Sequence, residues 1–312
     1  LRTASSPPSS SAETTAPADD HRGIVSNPAS PGSQVLEKIQ QAIERARQQR
    51  ASLASPAAAA TATAPRPSDH RPEPAAGPWL EQVSTVRLDP RHLSRHRIVA
   101  ASADDPRADI FRSLRTQLLL RLKTLGGHSV AIVSARDGEG KTFVACNLAL
   151  SLTRQAEVPV VLVDMDFRRP TVHSTLGLDV AVGFSDVIEG DATLEKAVRR
   201  VEGTQLHVLP QPRRHPLASE LVASNRARDL LREIAQSVGH GYVVIDCPPL
   251  LLTDEPLVVQ GHVDGCLLVV EQGRTGRHAV EQAAELLDET KYLGSVVNKG
   301  DAGDTGTYYG YR

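Results

Sequence analysis

From about residue 129 onward, short apolar runs alternate with stretches whose apolar positions recur every three or four residues. The runs 130–134, 160–164, 206–209, 242–246, 266–270 and 295–298 are rich in Val, Ile and Leu and read as strands. Segments 141–154, 194–201, 226–238 and 277–287 have helical spacing. Such alternation predicts an α/β fold, a mostly parallel, doubly wound sheet flanked by helices on both faces. Upstream, from residue 105, Ile110, Leu114, Leu118 and Leu122 predict one more helix with an apolar face. Asp109, Arg112 and Arg115 follow at spacing three on a neighbouring face, either as a solvated ion-pair row or as a multidentate contact to another subunit.

The first hundred residues have a different pattern. Residues 1–34 are mostly Ser, Thr, Ala, Pro and Gly and are expected to be disordered, because too few large apolar side chains offset the entropy of ordering. Residues 35–50 place Leu36, Ile39, Ile43 and Ala46 on one face, with Lys38, Arg45, Arg47 and Arg50 elsewhere. They read as a short amphipathic helix, which suits either docking to a partner or membrane surface or a transient helix in the arm. An Ala/Pro-rich linker, 51–78, and a lead-in segment with Arg87, Arg91, Arg95 and Arg97, 79–104, precede the principal domain at 105–300. A flexible Gly/Tyr-rich tail, 301–312, closes the chain.

Composition narrows the function classes. A formal net charge of −2 over 312 residues gives no reason to expect nucleic-acid binding. Cys146, Cys247 and Cys266 lie in apolar stretches without metal-ligand spacing and read as buried, reduced thiols. His173, His207, His215 and His262 likewise lack ligand spacing. No window approaches the roughly 18 apolar residues of a spanning helix, so a cytoplasmic location is expected. The chain opens on Leu1 rather than Met, which leaves an upstream segment open.

The chemistry concentrates at the ends of the predicted strands. Ala135-Arg136-Asp137-Gly138-Glu139-Gly140-Lys141-Thr142 follows a strand and opens a helix, as a phosphate-binding loop does. Backbone N–H groups of Asp137, Gly138, Glu139, Gly140, Lys141, Thr142 and Phe143 are candidates to cradle phosphates, Lys141 to reach the β/γ-phosphates, and Thr142 to hold Mg²⁺. Ala135 stands where the usual pattern has its first glycine. The run 160–163 delivers Asp164 and Asp166, two apart and therefore pointing the same way from the strand end. The run 242–245 delivers Asp246, followed by Cys247-Pro248-Pro249. Mg²⁺ takes six oxygen ligands and keeps several waters, so a Thr hydroxyl, phosphate oxygens and nearby carboxylates suit it.

On these motifs the chain from about residue 105 resembles the bacterial tyrosine kinases that regulate capsule and exopolysaccharide export. The resemblance rests on Gly140-Lys141-Thr142, Asp164-x-Asp166-x-Arg168-Arg169-Pro170 and Ile245-Asp246-Cys247-Pro248-Pro249, supported by 183–187, 217–224 and 293–299. It implies a P-loop NTPase fold and an ATP- and Mg²⁺-dependent autokinase in which Lys141 holds phosphates. Thr142 and Asp166 then ligate Mg²⁺ with Asp246, and Asp164 accepts or orients the tyrosine proton. Of five tyrosines, Tyr308, Tyr309 and Tyr311 lie in the last five residues, matching the cluster that the family phosphorylates in trans. Asp109, Arg112 and Arg115 resemble the family's Glu-x-x-Arg-x-x-Arg subunit contact, implying a homo-oligomer. The resemblance further implies a membrane-embedded polysaccharide chain-length regulator as activator, a cognate phosphotyrosine phosphatase, and a peripheral position at the inner face of the cell membrane.

Two other readings share these residues: a deviant-Walker partition or division-site ATPase switch, and a non-catalytic ATP-bound scaffold of an export complex. The switch ATPases carry a signature lysine where this chain has Arg136, and they generally lack a terminal tyrosine cluster. Asn298-Lys299-Gly300-Asp301 looks like the guanine-reading motif of GTPases, but the resemblance places Asn298 near adenine instead.

Overall fold

The computed structural model describes residues 78–102, 104–156 and 158–300. The expected disordered arm, the amphipathic helix at 35–50, nearly all of the linker and the tail at 301–312 lie outside them.

A 3₁₀ turn at Pro78–Glu81 leads into β1 (Ser84–Val86), α1 (Pro90–Arg95), α2 (Ala108–Leu125) and β2 (Ser129–Ser134). Next come α3 (Lys141–Ala156), β3 (Val160–Asp164), α4 (Val172–Leu176), α5 (Phe184–Glu189), α6 (Leu194–Ala197), β4 (Arg199–Val201) and β5 (Leu206–Leu209). The remainder is α7 (Ala218–Ala223), α8 (Asn225–Ser237), β6 (Tyr242–Asp246), α9 (Glu255–Gln260), β7 (Gly265–Glu271), α10 (Arg277–Leu286) and β8 (Tyr292–Asn298). The strands form one eight-stranded sheet in the order β1-β4-β5-β3-β6-β2-β7-β8. All neighbours are parallel except β4 and β5.

Strand alternation divides the apolar residues between two cores. Ala131, Val133, Val161, Val163, Val243 and Ile245 face one side and pack with α5–α10, whereas Val130, Ile132, Val160, Leu162 and Val244 face the other and pack with α1–α4. Both faces are covered, so these strands have no polar face, which is why they read as continuous apolar runs. Lead-in residues take part in both cores. Trp79 and Leu80 enter the first, and Leu93, Ile98, Val99 and Ala100 enter the second.

All six predicted strands form, with β2, β7 and β8 extending beyond the expected limits. The helix expected over 194–201 does not persist. It ends at Ala197, Val198 turns extended at ψ 147°, and Arg199–Val201 becomes β4. Leu194, Ala197, Val198 and Val201 are all buried, so the helical spacing was a true burial pattern. The open edge of β5 captured its second half by pairing His207 and Val208 with Arg200 and Arg199. On α2, Ile110 is 62% exposed rather than part of the apolar face; Phe111 is buried in its place beside Leu118 and Leu122.

Candidate active site

Parallel strands bring their carboxyl ends to one edge of the sheet, and the predicted chemistry gathers there. The loop between β2 and α3 bends through Gly138 and Gly140, at φ +79° and +94°. Gly140 is required twice over: its conformation disfavours L side chains, and a Cβ there would lie 2.0 Å from Asn298 Nδ2. The loop is braced from three directions. Glu139 is buried and accepts hydrogen bonds from Arg136 N (3.0 Å) and Thr275 Oγ1 (2.6 Å). Asn298 Nδ2 donates to the Glu139 carbonyl (2.9 Å), and Lys299 Nζ donates to the Gly138 carbonyl (2.7 Å) while pairing with Glu271 Oε2 (3.1 Å).

Lys141, the first residue of α3, is 8% exposed. Its Nζ lies 3.1 Å from Asp166 Oδ2 and forms an ion pair with it. Burial opposes its charge, but Asp246 and Asp166 together hold its pKa above the ordinary lysine value. Thr142 Oγ1 bonds Asp246 Oδ2 (2.6 Å) and Thr171 Oγ1 (2.9 Å). Asp246 is fully buried; desolvation pushes its pKa up to about 7 against the opposing pull of Lys141 and Thr142.

Asp164 and Asp166 differ sharply. Asp164 stands directly opposite Asp246 in the β3–β6 register. It is fully buried, and its oxygens accept from Asp166 N (3.1 Å), Thr171 N (3.2 Å) and Val172 N (3.1 Å). Burial and the neighbouring Asp246 push its pKa well above the usual carboxylate range. Both oxygens thereby help shape the loop at 166–172. Asp166 instead turns Oδ2 to Lys141 Nζ (3.1 Å), and Asp246 keeps Oδ1 buried and without a hydrogen-bond partner among the described residues.

Asp166 Oδ2, paired with Lys141, and the orphaned Asp246 Oδ1 lie beside the Thr142 hydroxyl and make a donor set that fits Mg²⁺ on a phosphate chain. Among the described residues no three His, Cys, Asp or Glu side chains cluster to hold a metal; Mg²⁺ bound with a nucleotide would take phosphate and water oxygens as well.

Other predicted residues serve the loop from outside. Asp137 Oδ2 pairs with Arg169 Nη1 (2.5 Å), and the Phe143 ring packs edge-on against Phe111 at 5.6 Å. On α2, Asp109 pairs with Arg112, whereas Arg115 turns to α3 and donates to the Ser151 carbonyl (2.8 Å). Thr171 and Thr275 were not singled out from the sequence, and Lys299 was noted only within the Asn298-Lys299-Gly300-Asp301 run. Their signal is positional, since Lys299 directly follows β8 and Thr275 lies in the loop after β7, on the edge where β2 delivers the phosphate loop.

The AAA domain family model matches residues 127–292, slightly more than half of the chain. Tyrosine-protein kinase YwqD of Bacillus subtilis is 30% identical over 208 residues, 66% of this chain and 86% of its own length. Tyrosine-protein kinase ptk of Acinetobacter johnsonii is 26% identical over 219 residues, 70% of this chain but 30% of that longer protein. The kinase domain of Escherichia coli tyrosine kinase ETK superposes with a TM-score of 0.61 at 25% identity, covering 76% of this chain and 92% of that one. Among the described residues no helix is long and apolar enough to cross a membrane. The braced phosphate loop, the paired strand-end aspartates and these similarities agree: the chain belongs to the bacterial tyrosine-protein kinase family.

Proposed function

We propose that the chain transfers the γ-phosphoryl group of ATP to tyrosine hydroxyls, with Tyr308, Tyr309 and Tyr311 of another copy as first acceptors. The observation that carries this reading is the convergence, at the mouth of a phosphate loop, of Lys141 Nζ paired with Asp166 Oδ2 (3.1 Å) and Thr142 Oγ1 bonded to Asp246 Oδ2 (2.6 Å), with Asp246 Oδ1 buried and without a hydrogen-bond partner among the described residues. The loop amides and Lys141 hold the phosphates. Thr142, Asp166 and Asp246 hold Mg²⁺, directly or through water. When bound, Mg²⁺ neutralises charge on the transferring phosphoryl group; phosphoryl transfer otherwise needs positioning more than covalent chemistry. Asp164 fixes Asp166 and Thr171 through their backbone N–H groups and is the candidate to accept or orient the proton of an incoming tyrosine hydroxyl. Asn298 remains the candidate for contact with adenine.

The wider setting follows from the family resemblance. Asp109, Arg112 and Arg115 would contribute to a homo-oligomer that presents one copy's tail to the next. A membrane-embedded polysaccharide chain-length regulator would activate the kinase at the inner face of the membrane, a cognate phosphatase would reset it, and phosphates accumulating on the tail would weaken docking by repulsion. The Arg136 position and the tyrosine cluster favour this reading over a switch ATPase.

Mixing experiments test the trans step. A Lys141→Met chain is combined with a chain truncated after residue 300 in the presence of MgATP. Phosphotyrosine on the Lys141→Met tail is the expected result; its absence, while intact wild type labels itself independently of concentration, would show transfer in cis.

A further inference from the structure

A second cavity opens beside the phosphate loop. It has a volume of about 440 Å³, and its walls include Arg169, Thr171, His173, Pro212, Arg213 and Arg214. Thr171 connects it to the site, since its hydroxyl bonds that of Thr142 at 2.9 Å. Three arginines line this space and, among the described residues, no carboxylate does.

The loop that carries Arg213 and Arg214 is pinned from several sides. Gln211, fully buried, accepts from Ser185 N (3.0 Å) and donates to Ser185 Oγ (2.9 Å) and the Arg213 carbonyl (2.6 Å). Gly183 lets the loop approach, because a Cβ there would lie 2.2 Å from Pro212. Arg213 is braced by Asp186 and the Ala181 carbonyl (3.0 Å), and Arg169 by Asp137 (2.5 Å). His215 N then donates to the Phe167 carbonyl (2.9 Å), tying the arginine loop to the residue after Asp166. Arg214 makes no hydrogen bond or ion pair among the described residues and is exposed. An uncompensated cation on a pinned loop beside a phosphate site is arranged to read an anion on the incoming chain.

We propose that this cavity is the acceptor-peptide subsite and that Arg214 selects acidic residues on the amino side of the acceptor tyrosine. The occupant is the terminal segment of a second copy of this chain. That segment has two acids, Asp301 and Asp304, with Asp304 four residues before Tyr308; an extended chain spans roughly 13–14 Å over that interval. The inference rests on the tyrosine-kinase reading above and deepens it by assigning what the site recognises in its acceptor.

The test is steady-state phosphorylation, by the full chain at low ionic strength and saturating MgATP, of a synthetic peptide of residues 300–312. The same peptide with Asp301→Asn and Asp304→Asn is expected to show a KM roughly five- to tenfold higher. An Arg214→Glu enzyme is expected to invert the preference and favour a peptide with Asp304→Lys, and Arg214→Gln to abolish it. Equal use of all peptides by the wild-type enzyme would overturn the proposal, as would an Arg214→Glu enzyme whose only change is a higher KM for ATP. Hydrolysis of ATP without transfer to any peptide would instead overturn the kinase reading, and the subsite with it.

Discussion

Thr142 Oγ1 donates to Asp246 Oδ2 at 2.6 Å, while Asp246 Oδ1 is buried with no partner at all. The threonine that opens α3 is thereby held in place by a carboxylate from the end of β6 whose other oxygen faces the site unsatisfied. An Asp246→Asn variant keeps the shape and loses the charge. Its affinity for MgATP is expected to fall about tenfold or more, with a smaller loss for ATP in EDTA. Calorimetric titration with and without Mg²⁺ separates the two.

Gly140 cannot acquire a side chain without displacing Asn298 and straining its own backbone at φ +94°. Gly140→Ala is expected to cost about 1–3 kcal/mol of stability and to abolish nucleotide protection. Denaturant unfolding with and without MgADP measures both effects, and a variant still stabilised by MgADP as wild type is would contradict the role given to this loop.

Asp264 holds the entry to β2. Its Oδ2 accepts from His128 N (2.8 Å), Ser129 N (2.9 Å) and Ser129 Oγ (2.6 Å), and despite partial burial these bonds lower its pKa below the usual carboxylate value. A depressed folded-state pKa means stability that is fully present above the unfolded value near 3.8 and is lost as pH falls through the folded value. Asp264→Asn is therefore expected to destabilise by about 1.5–3 kcal/mol at neutral pH, with the gap to wild type narrowing only below about pH 4. Chemical denaturation from pH 3 to pH 7 provides the readout.

Trp79 is 6% exposed and Leu80 3%, both in the core shared with α6 and α8. Trp79→Ala is expected to lower stability by about 3–5 kcal/mol. A shift in denaturation midpoint near zero would show that the catalytic unit is independent of its lead-in segment.

The residues that announced themselves in the sequence are those whose chemistry requires both type and spacing. Gly138, Gly140, Lys141 and Thr142 had to follow a strand, and Asp164 and Asp246 had to end one; the structure sets the two aspartates opposite each other in the register of β3 and β6. What stayed hidden was decided by tertiary partners. Val198 to Val201 fits a helix until the edge of β5 is available, and Ile110 fits an apolar face until Phe111 turns inward against Phe143. The different duties of Asp164 and Asp166 are invisible at two-residue spacing, because they depend on which backbone amides fold back, at Thr171 and Val172. Lys299 and Thr275 reach the phosphate loop across 161 and 136 residues of sequence; only the sheet order brings them there.

In the proposed function, phosphate moves from ATP to tyrosine with Lys141 and its neighbouring carboxylates in place. The most direct measurement incubates the purified chain with ATP and Mg²⁺ and maps phosphotyrosine by mass spectrometry, beside Lys141→Met treated identically. Phosphate on Tyr308, Tyr309 or Tyr311 in the wild type and none in Lys141→Met is the predicted result. ATP turnover without phosphotyrosine, alone and with an activating partner's cytoplasmic segment, would contradict it and leave a nucleotide switch as the function of this site.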